Sequence, residues 1–205
     1  MHLSRWPLFR AHFLAAAAVA LLCASCDDQN AAKPVARPKP AVTFKPQEMA
    51  DALHAVIAAD RETYSRHFAQ YQQSREAAAA GGTSAAAMPP LPIPAHLLRQ
   101  ASEAVQQKGA EFHYVLRSLW PINPKNAPET PTEKAGLEFV AAHPGTNYYA
   151  EESLGGRLYF AAIYPDVASN TDCADCHNRH PDSPKRDFKT GDVMGGMVVR
   201  VPLEF

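Results

Sequence analysis

The strongest constraint on this chain is the pentapeptide Cys173-Ala174-Asp175-Cys176-His177. C-x-x-C-H is the attachment signature of c-type haem. Two thiols three residues apart on a tight turn can reach the two vinyl groups of one porphyrin, and the adjacent histidine then lies under the iron. The spacing predicts one covalent haem c per chain, held by Cys173 and Cys176, with His177 as proximal iron ligand. Two other chemistries draw on the same residue types. Cys173, Cys176, His177 and His180 have the composition of a zinc knuckle, although the adjacent Cys176 and His177 would have difficulty joining one tetrahedron. A redox-active dithiol would usually follow a strand and open a helix in a βαβ setting, which the order of elements here does not provide.

Covalent haem attachment requires export, and the N-terminus supplies it. Residues 1 to 13 carry Arg5 and Arg10 without an acidic residue, and the apolar run LAAAAVALLCA follows at 14 to 24. That is a secretory n-region and h-region, too short and too soon followed by Asp27 and Asp28 for a stable membrane span. Residues 1–25 are therefore read as a signal peptide. The junction CASC resembles a bacterial lipoprotein processing site, with Cys26 as the lipidated residue, although Cys23 stands where Leu is usual. Ordinary signal cleavage is the alternative. Asp27 after the cysteine resembles an inner-membrane retention signal. Of the four cysteines, Cys23 then leaves with the signal and Cys26 takes lipid, so only Cys173 and Cys176 remain for chemistry.

The formal net charge of −1 and the dispersed Lys and Arg give no polyanion-binding bias, so nucleic acid is not an expected partner. Residues 26–46, rich in Pro, Ala and Lys, read as an extended tether, and 47–205 as one folded domain. From Gln47 to Ala80 the spacing predicts a long amphipathic helix. Met49, Ile57, Tyr64, Phe68 and Tyr71 fall within about 60° of Leu53 on a helical wheel. A proline-rich loop (81–94), a second helix (95–108) and a strand over 112–120 follow. Thr130, Pro131 and Glu133 then signal a third helix through a capping box, ending at His143-Pro144-Gly145. Strands are expected at 156–165 and 193–205. Helices first and strands later argue for α+β.

SLWPINPKNAP (118–128), YFAAIYPDV (159–167), CADCHNRHPDSP (173–184) and DFKTGDVMGG (187–196) together resemble a family of exported bacterial proteins with a PAS-like haem c domain, long catalogued as a domain of unknown function. The resemblance spans roughly 47–205. It implies N-terminal helices packed on an antiparallel sheet, with covalent haem at Cys173 and Cys176 and proximal ligation by His177. Some family members stand alone, and others are extracellular sensor modules. Their distal ligand varies, often coming from the first helix.

The sixth ligand decides whether such a haem moves electrons or binds small molecules. On the wheel His67 lies about 40° from the centre of the apolar stripe and His54 about 100° away, so His67 is the first candidate for distal ligand. His54, Met194 and water are the others. Gly195-Gly196 either lets the backbone approach the porphyrin or marks a strand bulge. Arg157, Arg179, Lys185 and Arg186 are candidates to neutralise propionates, with His180 a loop or propionate contact. Trp120, Tyr148, Tyr149 and Phe160 are candidates to wall the pocket or fill an ordinary core. The leading expectation is a membrane-tethered periplasmic monohaem protein in one-electron transfer or redox sensing, with an unidentified protein partner. A sensor of NO, CO or oxygen is the alternative. A small peroxidase would need a distal base such as His67, so a non-enzymatic role is expected.

Overall fold

A computed structural model describes residues 44–82 and 89–204. The signal, Cys23, Cys26 and nearly all of the tether lie outside the described residues. The chain forms α1 (Pro46–Ala80), α2 (Pro94–Gln107), β1 (His113–Arg117), α3 (Pro131–Ala142), β2 (Tyr148–Leu154), β3 (Arg157–Val167), α4 (Thr171–Arg179) and β4 (Val193–Pro202). The four strands make one antiparallel sheet in the order β1-β4-β3-β2, so the architecture is α+β, as expected from the order of elements.

The sheet is covered on both faces, and side-chain alternation sorts the two cores. Ala162 and Tyr164 of β3 with Met197, Val199 and Val201 of β4 face α1 and α2, meeting Ala50 and Leu98. Ala161, Ile163 and Val198 face the other way, onto Leu137 and Val140 of α3. Every residue of β4 is buried, which is why its sequence reads as a nearly continuous apolar run rather than an alternating one. Arg200 is the exception in type. Its guanidinium bonds Glu133 at 2.9 Å and also Glu152, while Arg117 reaches the same Glu133 at 3.2 Å. Burial opposes the charge on Glu133, but the Glu129 N–H and the Arg200 and Arg117 guanidiniums outweigh it and hold this carboxyl below the usual range.

The capping box on α3 is half formed. Thr130 accepts from the Glu133 N–H at 3.0 Å, but the Glu133 side chain accepts from the N–H of Glu129 and turns to the buried arginines. Strand β2 was not expected from the sequence. Its YYAEESL is polar and pairs on one side only, as the sheet edge, so no apolar alternation marks it. The glycine pair of β4 has a packing reason. A Cβ at Gly196 would come within 2.8 Å of Ile163 and 2.9 Å of Leu137, and one at Gly195 within 2.5 Å of the Arg117 carbonyl oxygen. Beside them the β3–β4 register slips, Asp166 facing Gly195 and Val167 facing Val193, so Met194 is the extra residue of a bulge.

Helix α1 meets the sheet only along its first half. Ala50, its one buried residue, and Met49, Leu53 and Ile57 pack on the core, whereas farther along Tyr64 and Tyr71 donate hydrogen bonds to the carbonyls of Pro92 and Pro89. No described helix is long and apolar enough to cross a membrane.

Candidate functional site

The C-x-x-C-H sequence does not sit on a tight turn: it lies within the nine-residue helix α4. Asn170 starts that helix, its side-chain oxygen accepting from the Cys173 N–H at 3.0 Å. Helical spacing places Cys173, Cys176 and His177 on neighbouring turns of one face. Ala174 points down into a small core with Ala168, Phe188, Met194 and Trp120. Asn178 fixes the chain that returns over α4, donating to the Phe188 carbonyl at 2.8 Å and accepting from its N–H at 2.9 Å. That clamp sets the Phe188 ring edge-on to the His177 imidazole, with centroids 6.0 Å apart.

Both thiols are free, Cys173 half-buried and Cys176 exposed. Burial is the main influence on His177 and pushes its pKa below the usual histidine range. Asp166 pulls the other way, and His180 and Arg61 add to the fall. The imidazole is thus neutral near pH 7, the form that ligates metals. Its Nδ1 is buried without a hydrogen-bond partner. Two free thiols and a neutral, incompletely bonded imidazole on one helix fit a covalent haem c. Among the described residues no three His, Cys, Asp or Glu side chains are placed to hold a bare metal ion, so the zinc arrangement of Cys173, Cys176, His177 and His180 is not formed.

The structure changes the reading of the other candidates. His67 is exposed rather than turned to the core, while His54 is half-buried and stacked on Tyr164 at 3.7 Å. The wheel was centred on Leu53 through Tyr64 and Tyr71, but the face that meets the sheet runs through Ala50, Ile57 and Arg61, at about 60°, 40° and 80°. His54 lies about 40° from that axis, whereas His67 shares the wheel angle of Met49, which packs on the core, so its exposure comes from its place beyond the end of the sheet. Burial pushes the His54 pKa down, against the pull of Asp51 and Asp166. Met194 is buried beneath α4, and its carbonyl accepts from Ser118 Oγ at 2.6 Å.

The expected propionate cations are engaged locally. Arg157 pairs with Glu111 at 2.7 Å, Arg179 with Asp175 at 2.8 Å and Lys185 with Asp187 at 2.6 Å, and Arg186 donates to the carbonyls of Ser183 and Pro181. His180 lies in the turn after α4, where its Nδ1 accepts from the Asp182 N–H at 3.2 Å. Of the aromatic wall, Trp120 reaches the site through Phe188, at 5.8 Å. Tyr148 packs on the α3 face instead, and Tyr149 and Phe160 on the α1 face, where Tyr149 and Tyr164 both donate to Asp51.

One charged pair beside α4 was not anticipated. Arg61 of α1 makes a two-point ion pair with Asp166 at the end of β3, one contact at 3.0 Å. Its charge contributes to the lowered pKa of His177. A lone arginine on a helix otherwise read by its apolar stripe carries no sequence signal of this role.

The family model described as Tll0287-like matches residues 40–202. The chain belongs to the Tll0287-like family. The four sequence blocks that suggested a family resemblance all lie within the matched region of this Tll0287-like chain. Among solved structures it is similar to one titled "Crystal structure of the cyanobacterial heme-protein Tll0287", at 20% identity over 78% of this chain and 98% of that one, with a TM-score of 0.42. No curated protein matches the Tll0287-like chain.

Proposed function

We propose that this protein is an exported, lipid-anchored monohaem c-type cytochrome that acts in one-electron transfer or redox sensing at the periplasmic face of the membrane. One observation carries the reading: α4 gathers two free thiols and a neutral imidazole on one short, capped helix fixed to the sheet. Membership of the Tll0287-like family, whose namesake is titled a heme-protein, supports haem binding. In this reading Cys173 and Cys176 hold the porphyrin by thioether bonds and His177 supplies the proximal nitrogen. Asn178 and Phe188 restrain the imidazole, and Asp166 sets the charge beside it. The bound haem would supply a one-electron iron couple whose potential follows its axial ligands and burial.

Cys26 is the residue assigned to the lipid anchor, and the partner is a redox or signalling protein rather than nucleic acid. A second reading, sensing of a small ligand such as NO, CO or oxygen, is favoured by the exposure of His67, the first candidate for sixth ligand. A peroxidase would need a distal base, and the residue considered for it, His67, is exposed.

The test is an optical spectrum of protein produced with a cytochrome c maturation system, oxidised and reduced, with and without CO. A low-spin reduced spectrum unmoved by CO supports electron transfer, and rapid CO binding supports the sensor. A covalent haem that persists in the Cys173→Ser/Cys176→Ser variant would overturn the attachment.

A further inference from the structure

We propose that the groove between α1 and α2 is a binding site for a small organic amine, whose ammonium group is met by Asp60 and Tyr114 and whose compact apolar body fills the groove. The inference stands apart from the haem reading, because no residue of α4 lines this groove.

The groove follows from how the two helices are joined. Tyr64 of α1 donates to the Pro92 carbonyl at 2.6 Å, so α2, which begins at Pro94, starts at a fixed place beside α1. Between them lies a groove of about 420 Å³ that opens to solvent. Ile57 and Tyr64 line it from α1, Leu97, Leu98 and Ala101 from α2, and Tyr114 reaches it from β1. A mostly apolar lining with a few polar groups is the composition of a ligand pocket, and the volume falls near the small end of the usual range of about 300–1,000 Å³.

The polar groups decide the class of ligand. Arg61 also lines the groove, but Asp166 holds its guanidinium at two points, so that pair brings no net charge. Asp60 is exposed and enters no ion pair among the described residues, which leaves the groove with one uncompensated negative charge. Tyr114 is only 5% exposed. Its backbone carbonyl accepts from Ser102, but its hydroxyl has no hydrogen-bond partner among the described residues. Such a hydroxyl, taken out of bulk water, is incomplete until a partner reaches it. Burial chiefly, and then the Asp60 carboxylate, push the Tyr114 pKa above its usual value, which makes the two groups near neighbours in the groove.

An ionised carboxylate offers only acceptors, and a tyrosine hydroxyl keeps an acceptor lone pair beside its O–H. An anion would meet the charge of Asp60 with no free cation to offset it. A neutral apolar molecule would leave both polar groups without a partner. An ammonium group carries three donors and satisfies the carboxylate and the phenol oxygen together. The aromatic rings of Tyr64 and Tyr114 favour a cation over a neutral group further. Binding is reversible and forms no covalent bond.

The experiment is a calorimetric titration of the protein, produced with a cytochrome c maturation system, with phenethylamine and with its uncharged isostere phenethyl alcohol. The amine should bind about tenfold more tightly than the alcohol. Asp60→Asn should weaken amine binding by about threefold to tenfold, the loss expected of one charged contact near the surface. Tyr114→Phe, which keeps the ring, should weaken it by about threefold or more. Ala101→Trp, at an exposed position of α2, should abolish it by filling the groove. Absence of saturable amine binding, equal affinity for amine and alcohol, or amine affinity unchanged in Asp60→Asn or Ala101→Trp would each overturn the site. A Soret band of the ferric haem that shifts along the same saturation curve would place the amine on the iron and overturn it too.

Discussion

His67 and Arg61 lie six residues apart on one helix, yet one is exposed and the other is locked against the sheet. The difference is the extent of the sheet beneath the helix, since Met49 shares the wheel angle of His67 and packs on the core. Residues beyond Arg61 pack no side chain into the main core; they meet the segment before α2 through the tyrosine hydroxyls. His67→Ala should therefore leave the spectrum of the haem-loaded protein unchanged, and conversion from low to high spin would reinstate His67 as a ligand. The proposed attachment residues were legible as residues, because C-x-x-C-H is a contiguous chemical pattern. Arg61 and Asp166 were not. They are 105 positions apart, and no local pattern announces a pair that only the packing of α1 on β3 creates.

The glycines of β4 show what an element needs from its sequence. Gly195 lies against the backbone carbonyl of Arg117, which cannot retreat without disturbing the end of β1, whereas Gly196 lies against the movable side chains of Ile163 and Leu137. Gly196→Ala should cost about 1–3 kcal/mol, the usual range for overpacking, and Gly195→Ala should cost more. Chemical denaturation of the two variants checks the order, and an equal or reversed order would show that β1 yields more readily than the side chains. Helices α1, α2 and α3 were legible to within a residue or so from caps, prolines and apolar spacing. Strand β2 and helix α4 were not. The first is polar and pairs on one side only, and the second buries a single alanine, so neither carries the apolar period that marks an element in sequence.

Across the whole molecule one buried network joins four elements: Arg117 of β1, Glu133 of α3, Glu152 of β2 and Arg200 of β4. Because Glu133 is held below its ordinary pKa, the folded state binds fewer protons than the unfolded chain. Its contribution is complete above the unfolded carboxyl value of about 4.3 and is lost as pH falls through the lower folded value. Glu133→Gln should lower stability at pH 7 by about 3–5 kcal/mol, the cost of breaking a buried pair, and should flatten the acid limb of the stability profile. Thermal unfolding from pH 7 to pH 3 reads both effects, and a parallel acid limb in the variant would assign the pH dependence elsewhere. Targeting has its own test. Cys26→Ala with a cleavable signal should move the protein from the membrane fraction to the soluble periplasm with its haem attached, and retention in the membrane would assign the anchor to another segment.

The sequence by itself determined the expectation of haem attachment, the expectation of export, the α+β class and three of the four α-helices among the described residues, because each rests on contiguous spacing or local backbone preference. Only the tertiary structure decided which side chains surround that chemistry. It turned His67 outward, stacked His54 on Tyr164, sank Met194 beneath α4 and set Arg61 against Asp166. The physical reason is that a side chain's surroundings depend on where a helix crosses the sheet and how far the sheet extends. Those are properties of packing between distant segments that local periodicity does not encode.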